Sequence, residues 1–409
     1  MDCGTKTFFI DGSDLLKYDS GIIMKTTTVE TMNITQLHHM EYEASPDVVV
    51  SAPGCVRLIG EHTTGGDGFM ITFPLDKRMS IAISNRRDSS IRFFAADLNE
   101  RKRTNLSNLK FKREDRWANY IKAALSAYSG ESASSKGYNI TISGDIPQSL
   151  GLGSATALQC AAAKAAALAA GVDPGPADLA RTIVETDRTY FEKQTRAANY
   201  ISTLTASRGT LTFVDALRGT VEPLPSIFND SLLVLTDSRV PRPPLETELR
   251  QRADDCTAGL SLMNGSGIRK LRDFSIGDLD EYMGMMPERI RRHCTFFVEE
   301  IQRVKEAKEA ILHRDTVALA KALNKSQSSL RNSFEISCPE IDWLVKRALE
   351  IDGVLASRMI GKGFGGCTLS LLDARAMEDY KTRLEEYERI FGFKPSALEI
   401  SVGAGMIAE

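Results

Sequence analysis

Residues 144–171 read GDIPQSLGLGSATALQCAAAKAAALAAG, three local structures in a fixed order. A strand ends at Ile146, Pro147 to Gly153 form a turn, and an alanine-rich helix runs from about Ser154 until Gly171 stops it. A helix start leaves its first backbone N–H groups unpaired and carries a partial positive charge. Gly151 and Gly153 would let a phosphate reach those groups with no Cβ in the way, while Ser154 and Thr156 add hydroxyls. The stretch is therefore an anion cradle, or a capped helix whose alanines permit close packing. It is not a Walker loop, because no GxxxxGK[ST] occurs in the chain.

Two further stretches carry candidate chemistry. In APGCVRLIGEHTTGGDGF, residues 52–69, a short strand over Val56–Ile59 ends in Gly60-Glu61-His62-Thr63-Thr64 and a glycine-rich turn. An acid, an imidazole and two hydroxyls leaving a buried strand together describe a small-molecule site. In GKGFGGCTLSLL, residues 361–372, Gly361, Gly363, Gly365 and Gly366 allow close backbone approaches. Taken alone, that stretch equally describes a glycine-rich hairpin.

At 409 residues the chain has room for two domains or three. Residues 1–44 are polar and threonine-rich, an extension that packs on the first domain or stays loose. Strand-like and helical stretches then alternate in two blocks, which predicts two α+β domains, 45–210 and 211–409. The helix over Arg116–Tyr128 places Trp117, Tyr120, Ile121, Ala124 and Leu125 on one face. A net charge of −3 gives no global attraction to nucleic acid or anionic membrane. The basic cluster Arg101–Arg113 has acidic neighbours and no stacking aromatics, so it reads as an exposed connection. Seven cysteines without a CxxC pair suit a reducing compartment rather than a disulfide framework or a zinc site. With neither a signal-peptide pattern at the start nor an apolar run of about 18 residues, a cytoplasmic location is expected.

Taken together, Pro-x-x-x-Gly-Leu-Gly-Ser, Gly-x-Gly-x-Gly-Gly-Cys-Thr and Gly-Glu-His-Thr resemble the GHMP kinases. LIGEHT at 58–63, WANYIK at 117–122, SCPEIDWLVKRAL at 337–349 and SRMIGKGFGGCTLSLL from Ser357 are similar to galactokinase segments, from about Val48 to the C-terminus. The resemblance implies an α+β, two-domain GHMP kinase fold, with a ribosomal-S5-like N-terminal domain and an α+β C-terminal domain. It implies ATP held by Pro147, Gly151, Leu152, Gly153, Ser154, Ala155 and Thr156, with Ser154 and Thr156 toward magnesium. It implies a sugar-like small molecule between the domains, near Glu61, His62, Thr64, Asp67, Gly363, Gly365 and Gly366, phosphorylated at its anomeric hydroxyl.

The chain departs from that family's pattern inside the implied site. Galactokinases usually read Ala-Pro-Gly-Arg-Val-Asn-Leu-Ile-Gly-Glu-His-Thr-Asp-Tyr; here the arginine is Cys55, the asparagine is Arg57 and the sugar-binding aspartate is Thr64. The catalytic aspartate's position is Ala198, and Leu249 stands where a tyrosine borders the sugar. Consecutive serines in the phosphate loop become Ser154-Ala155-Thr156. Arg57, two residues past Cys55 and about 7 Å along the strand, is the candidate replacement cation, or else a surface-strand arginine. Asp67 is a candidate replacement for the acid absent at Thr64, or else a turn residue. Two expectations follow: a nucleotide- and sugar-binding sensor with galactose phosphorylation impaired or lost, or an ATP-dependent kinase for another small molecule, using Arg57 and an acid such as Asp187 or Glu192.

Overall fold

The computed structural model describes residues 32–128, 136–148, 150–263 and 269–409. Residues 1–31, most of the expected extension, lie outside them, as does Ser149 of the expected phosphate turn. The first part of the chain forms α1 (Ile34–Tyr42), β1 (Val48–Ile59), β2 (Phe69–Asn85), β3 (Ser90–Ala95), β4 (Glu100–Asn105), α2 (Ala118–Tyr128) and β5 (Tyr138–Gly144). Helices α3 (Ser154–Ala169), α4 (Pro176–Tyr190) and α5 (Ala198–Thr205) and strands β6 (Thr210–Asp215) and β7 (Thr220–Pro225) follow. The rest comprises β8 (Leu232–Asp237), α6 (Glu246–Met263), α7 (Ile276–Glu281), α8 (Glu288–Leu312), α9 (Thr316–Asn332) and α10 (Pro339–Leu349). It closes with β9 (Val354–Ile360), β10 (Cys367–Leu372), α11 (Met377–Phe391), β11 (Ser396–Ile400) and β12 (Ile407–Ala408).

Two sheets organise these elements. The eight-stranded sheet has the order β12-β1-β2-β5-β3-β4, with β6 and β7 added on β2, and only its β3–β5 pair is parallel. The four-stranded sheet runs β11-β8-β10-β9, antiparallel throughout. The division expected at 210/211 does not follow the sheets: β6 and β7 belong to the first, and β12 returns to it from the chain's far end. Sequence periodicity identifies a strand but not its partner, so β6 looks the same in either sheet.

α3 packs on β1 and β2. Its buried face is mostly alanine, interrupted by Leu158, Gln159 and Cys160, so the helix backbone lies close to the sheet. The same closeness governs the turn before it. A Cβ on Gly54 would stand 2.7 Å from the carbonyl oxygen of Leu152, and the Cys55 amide donates to that oxygen at 3.1 Å. The basic stretch is also not all connection: residues 100–105 form the edge strand β4, half-buried and exposed in strict alternation. Charged residues on an edge discourage pairing with another chain, and they hid the strand from a hydrophobic pattern.

Residues 33–44 are not loose. Asn33 caps α1, and His38 is fully buried against the sheet, its Nδ1 2.9 Å from Thr141 Oγ1 and its Nε2 2.9 Å from Ser84 Oγ. Burial lowers the His38 pKa from 6.5 to about 4, with Asp47 opposing and His39 adding slightly. The folded value lies below the unfolded one, so the unfolded chain takes up the proton first. This contribution to stability is present above about pH 6.5 and is lost as pH falls toward 4. We expect His38→Gln to remove up to one proton's worth of slope, about 1.4 kcal/mol per pH unit, from the fall in stability across that window. Urea unfolding at a series of pH values would read it, and an unchanged slope would contradict the burial of a neutral ring.

Candidate functional site

A cavity of about 1170 Å³ opens between the phosphate turn, the end of β1, and the second half of the chain from Asp237 onward. Its first wall is the start of α3. Gly153 occupies the cap position with φ 74°, a left-handed conformation that favours glycine, and its carbonyl accepts from the Ala157 amide. Gly151, Leu152, Gly153, Ser154, Ala155 and Thr156 all line the cavity. Pro147 does not line it, although its neighbour Gln148 does. Nothing charged stands on the first turn of α3, which keeps the helix's partial positive end available to an anion.

The second wall is β1 and the turn that follows. Cys55, Arg57, Glu61, His62, Thr64 and Asp67 all line it. Burial pushes the Cys55 thiol up to about 11, a neighbouring Thr203 hydroxyl pulling the other way, so position 55 contributes no charge near neutral pH. Arg57 is no surface arginine. It faces the cleft, half-buried, beside Thr72 of β2, and donates no hydrogen bond or ion pair among the described residues. Burial lowers its pKa, while Glu61 opposes and Arg358 adds to the shift.

Glu61 and Asp67 are both engaged within the protein. The Glu61 carboxylate accepts from Arg358 Nη2 at 2.6 Å and from the Gly361 amide at 3.4 Å, and Arg358 Nη1 reaches the Leu58 carbonyl at 2.6 Å. Both side chains are essentially without solvent exposure. Asp67 pairs with Arg196 and, at 3.4 Å, with Lys270, while still lining the cavity. His62 packs against Phe334 with ring centroids 5.2 Å apart. Its pKa is lowered to about 3 by burial and then by Arg57, so the ring stays neutral, and its Nε2 is buried without a partner.

Ala198 opens α5 but is 2% exposed and belongs to the core; its neighbours Asn199 and Tyr200 line the cavity instead. Asp187 is buried and accepts from Gln159, Thr195 and Tyr200, and neither it nor Glu192 lines the cavity. Gly363 and Gly365 are also outside the lining. Added Cβ atoms there would meet Ile336 and Val240, so both positions serve packing inside the second half; Gly366 does line the cavity, against Arg242.

The second half supplies residues that no motif marked. Arg252 of α6 is 7% exposed and donates to the Phe334 and Glu335 carbonyls at 2.8 Å and to Glu248 at 2.9 Å. Leu249, one turn earlier on the same helix, lines the cavity as the family alignment requires. The only sequence signal for Arg252 was its fixed offset from Leu249 and Cys256 in an otherwise ordinary helix. Tyr120, read only as part of a buried helix face, borders both this cavity and a smaller one beside Trp117, Gln148 and Ser154.

Three family models match: the galactokinase galactose-binding signature over residues 36–85, the GHMP kinase N-terminal domain over 119–205 and the GHMP kinase C-terminal domain over 307–388. A Treponema pallidum (strain Nichols) protein named "Putative galactokinase" is 34% identical over 382 residues, covering 91% of this chain and 95% of its own length. The chain belongs to the galactokinase family. A galactokinase of Haemophilus influenzae (strain ATCC 51907 / DSM 11121 / KW20 / Rd) is 27% identical, with 91% and 98% covered. The galactose-complexed galactokinase of Lactococcus lactis superposes with a TM-score of 0.83 at 22% identity, covering 91% of this chain and 98% of that one. The GHMP kinase fold is therefore complete across both halves, and among the described residues no helix is long and apolar enough to cross a membrane.

Within this family's fold, Glu61 acts through Arg358 as a tie between β1 and β9. We expect Glu61→Gln to cost about 3–5 kcal/mol, because it leaves the Arg358 guanidinium buried without its counter-charge. Glu61→Leu with Arg358→Met should recover most of that loss. Denaturant unfolding reads both, and a single variant as stable as the parent would remove the tie.

Proposed function

We propose that this galactokinase-family chain binds MgATP on the turn at 147–156 and a sugar-like molecule in the cleft, with galactose 1-phosphorylation impaired or lost. On this reading it is a pseudoenzyme of the cytoplasm that reports ligand occupancy. The observation that carries the proposal is the burial of the Ala198 methyl in the core, at the position where the family places its catalytic carboxylate. Of the carboxylates lining the cleft, Glu61, Asp67 and Asp237 are already paired with Arg358, Arg196 and Arg239, and Glu246 stands on the first turn of α6. A positioned base contributes roughly 10²–10⁴ in rate. Loss of a charge-stabilising donor costs roughly another 10²–10³.

Nucleotide binding depends on parts that remain. The α3 amides and the left-handed Gly153 need no catalytic side chain to hold phosphate. The hydroxyls of Ser154 and Thr156 at the same helix start fit a magnesium ion that takes its other oxygens from phosphate and water. When bound, that ion would neutralise charge on the transferring phosphate. Arg57 favours a second reading, an active kinase of weak galactose activity or of a different sugar-like substrate, because its cation stands in the cleft and makes no hydrogen bond or ion pair among the described residues.

A coupled assay on the purified chain tests the proposal. Galactose turnover should lie at least about a hundredfold below the roughly 1–100 s⁻¹ usual for kinases. Titration with MgATP should still release or absorb heat. Cys55→Arg with Ala198→Asp should raise galactose turnover by more than the product of the single changes, because the two groups act as a unit. Ordinary turnover in the unmodified chain would refute the proposal.

A further inference from the structure

The sugar side of the cleft has changed its charge. Against the family pattern, carboxylates are missing at Thr64 and Ala198, while the arginine absent at Cys55 is balanced by a guanidinium at Arg57 in place of an asparagine, so the net change is toward positive charge. Arg57 and its cross-strand neighbour Thr72 both line the cavity. The Thr72 hydroxyl is buried without a partner, and Arg57 has none of its donors in a hydrogen bond or ion pair among the described residues. The acid closest to it along the chain, Glu61, is already held by Arg358 and the Gly361 amide. An unmatched, half-buried cation is costly in a finished protein unless a ligand completes it.

The surroundings favour an anion of a particular kind. Leu249, Phe297 and Phe334 line the same cavity, and apolar walls strengthen any charged contact made beside them. The other basic groups at this end are engaged: Arg252 with Glu248 and two carbonyls, Lys270 with Asp67. One unmatched guanidinium suits one negative charge, and its planar fork matches a carboxylate bidentately. The electrostatic neighbours of Arg57 are Glu61, Arg358 and His62, which lie at the sugar side rather than on the phosphate turn. We propose that the sugar half of the cleft takes a sugar acid, a polyhydroxylated molecule bearing one carboxylate that Arg57 receives. This rests on the reading of the cleft as a nucleotide and sugar site.

Calorimetry with D-galacturonate and D-galactose compares two molecules that differ only in a carboxylate for a hydroxymethyl. The unmodified chain, with and without saturating MgADP, should bind galacturonate at least tenfold more tightly than galactose. Arg57→Gln should bring the two within twofold of each other while MgADP affinity changes less than twofold. Raising NaCl from 50 to 500 mM should weaken galacturonate and leave galactose unchanged, a test that needs no variant. Equal affinity for the two sugars overturns the proposal. So does tighter binding of galactose 6-phosphate than galacturonate, which would assign Arg57 to a dianion. A tenfold loss of MgADP affinity in Arg57→Gln with sugar preference intact also overturns it, by assigning Arg57 to the nucleotide phosphates. Absence of MgADP heat would fail the nucleotide reading alone, since the sugar titrations without nucleotide still decide this one.

Discussion

Arg358 has no exposed surface, yet its guanidinium crosses from β9 to the end of β1, where it holds Glu61 and the Leu58 carbonyl. The second sheet is thereby fixed against the strand that carries Cys55 and Arg57 and the turn that carries His62. An ion pair this deep contributes little net stability by itself, because desolvation offsets most of the Coulombic attraction. Its value here is positional: few other arrangements of the two halves satisfy both charges at once. The same contact holds the Glu61 carboxylate in place and sets the electrostatic surroundings of Arg57 and His62.

The two sides of the cleft have diverged differently. The phosphate turn depends on backbone amides, two glycines with left-handed dihedrals and the closeness of an alanine helix to its sheet. None of these needs a titratable side chain, so the nucleotide half retains its form. The facing wall depends on side chains, and there Thr64 and Ala198 stand at the family's acidic positions while the arginine lies at position 57 rather than 55. His62, kept neutral by burial and by Arg57, can accept or donate a single hydrogen bond but carries no charge at neutral pH.

Much of this was legible in the sequence because it resides in backbone-limited motifs. The strand–turn–helix at 144–171, the turn after β1 and the β9–β10 hairpin were each marked by glycines at constrained positions, and the structure places all three around one cavity. What residue types alone left undecided was partnership. Glu61 and Asp67 read as ligands because an acid near a turn looks the same whether it faces a sugar or an arginine 297 or 129 residues away. Arg57 stood open between surface and cleft, since alternation puts it on the same face as Cys55 without saying what covers that face. Glycines at 363 and 365 suit a ligand approach and tight packing equally well in sequence, and in the fold their neighbours are Ile336 and Val240. The second half was the least legible: Arg252 and Phe334 meet only through long-range folding of α6 against the end of α9.

A single-turnover measurement separates binding from chemistry most directly. Enzyme in excess over MgATP, mixed with saturating galactose and quenched over milliseconds to minutes, reports whether bound nucleotide is ever cleaved. The account predicts that the nucleotide is bound, by displacement of a fluorescent analogue, and remains ATP over times in which an ordinary kinase at roughly 1–100 s⁻¹ would finish. A rapid burst of ADP with one equivalent of galactose 1-phosphate would contradict it.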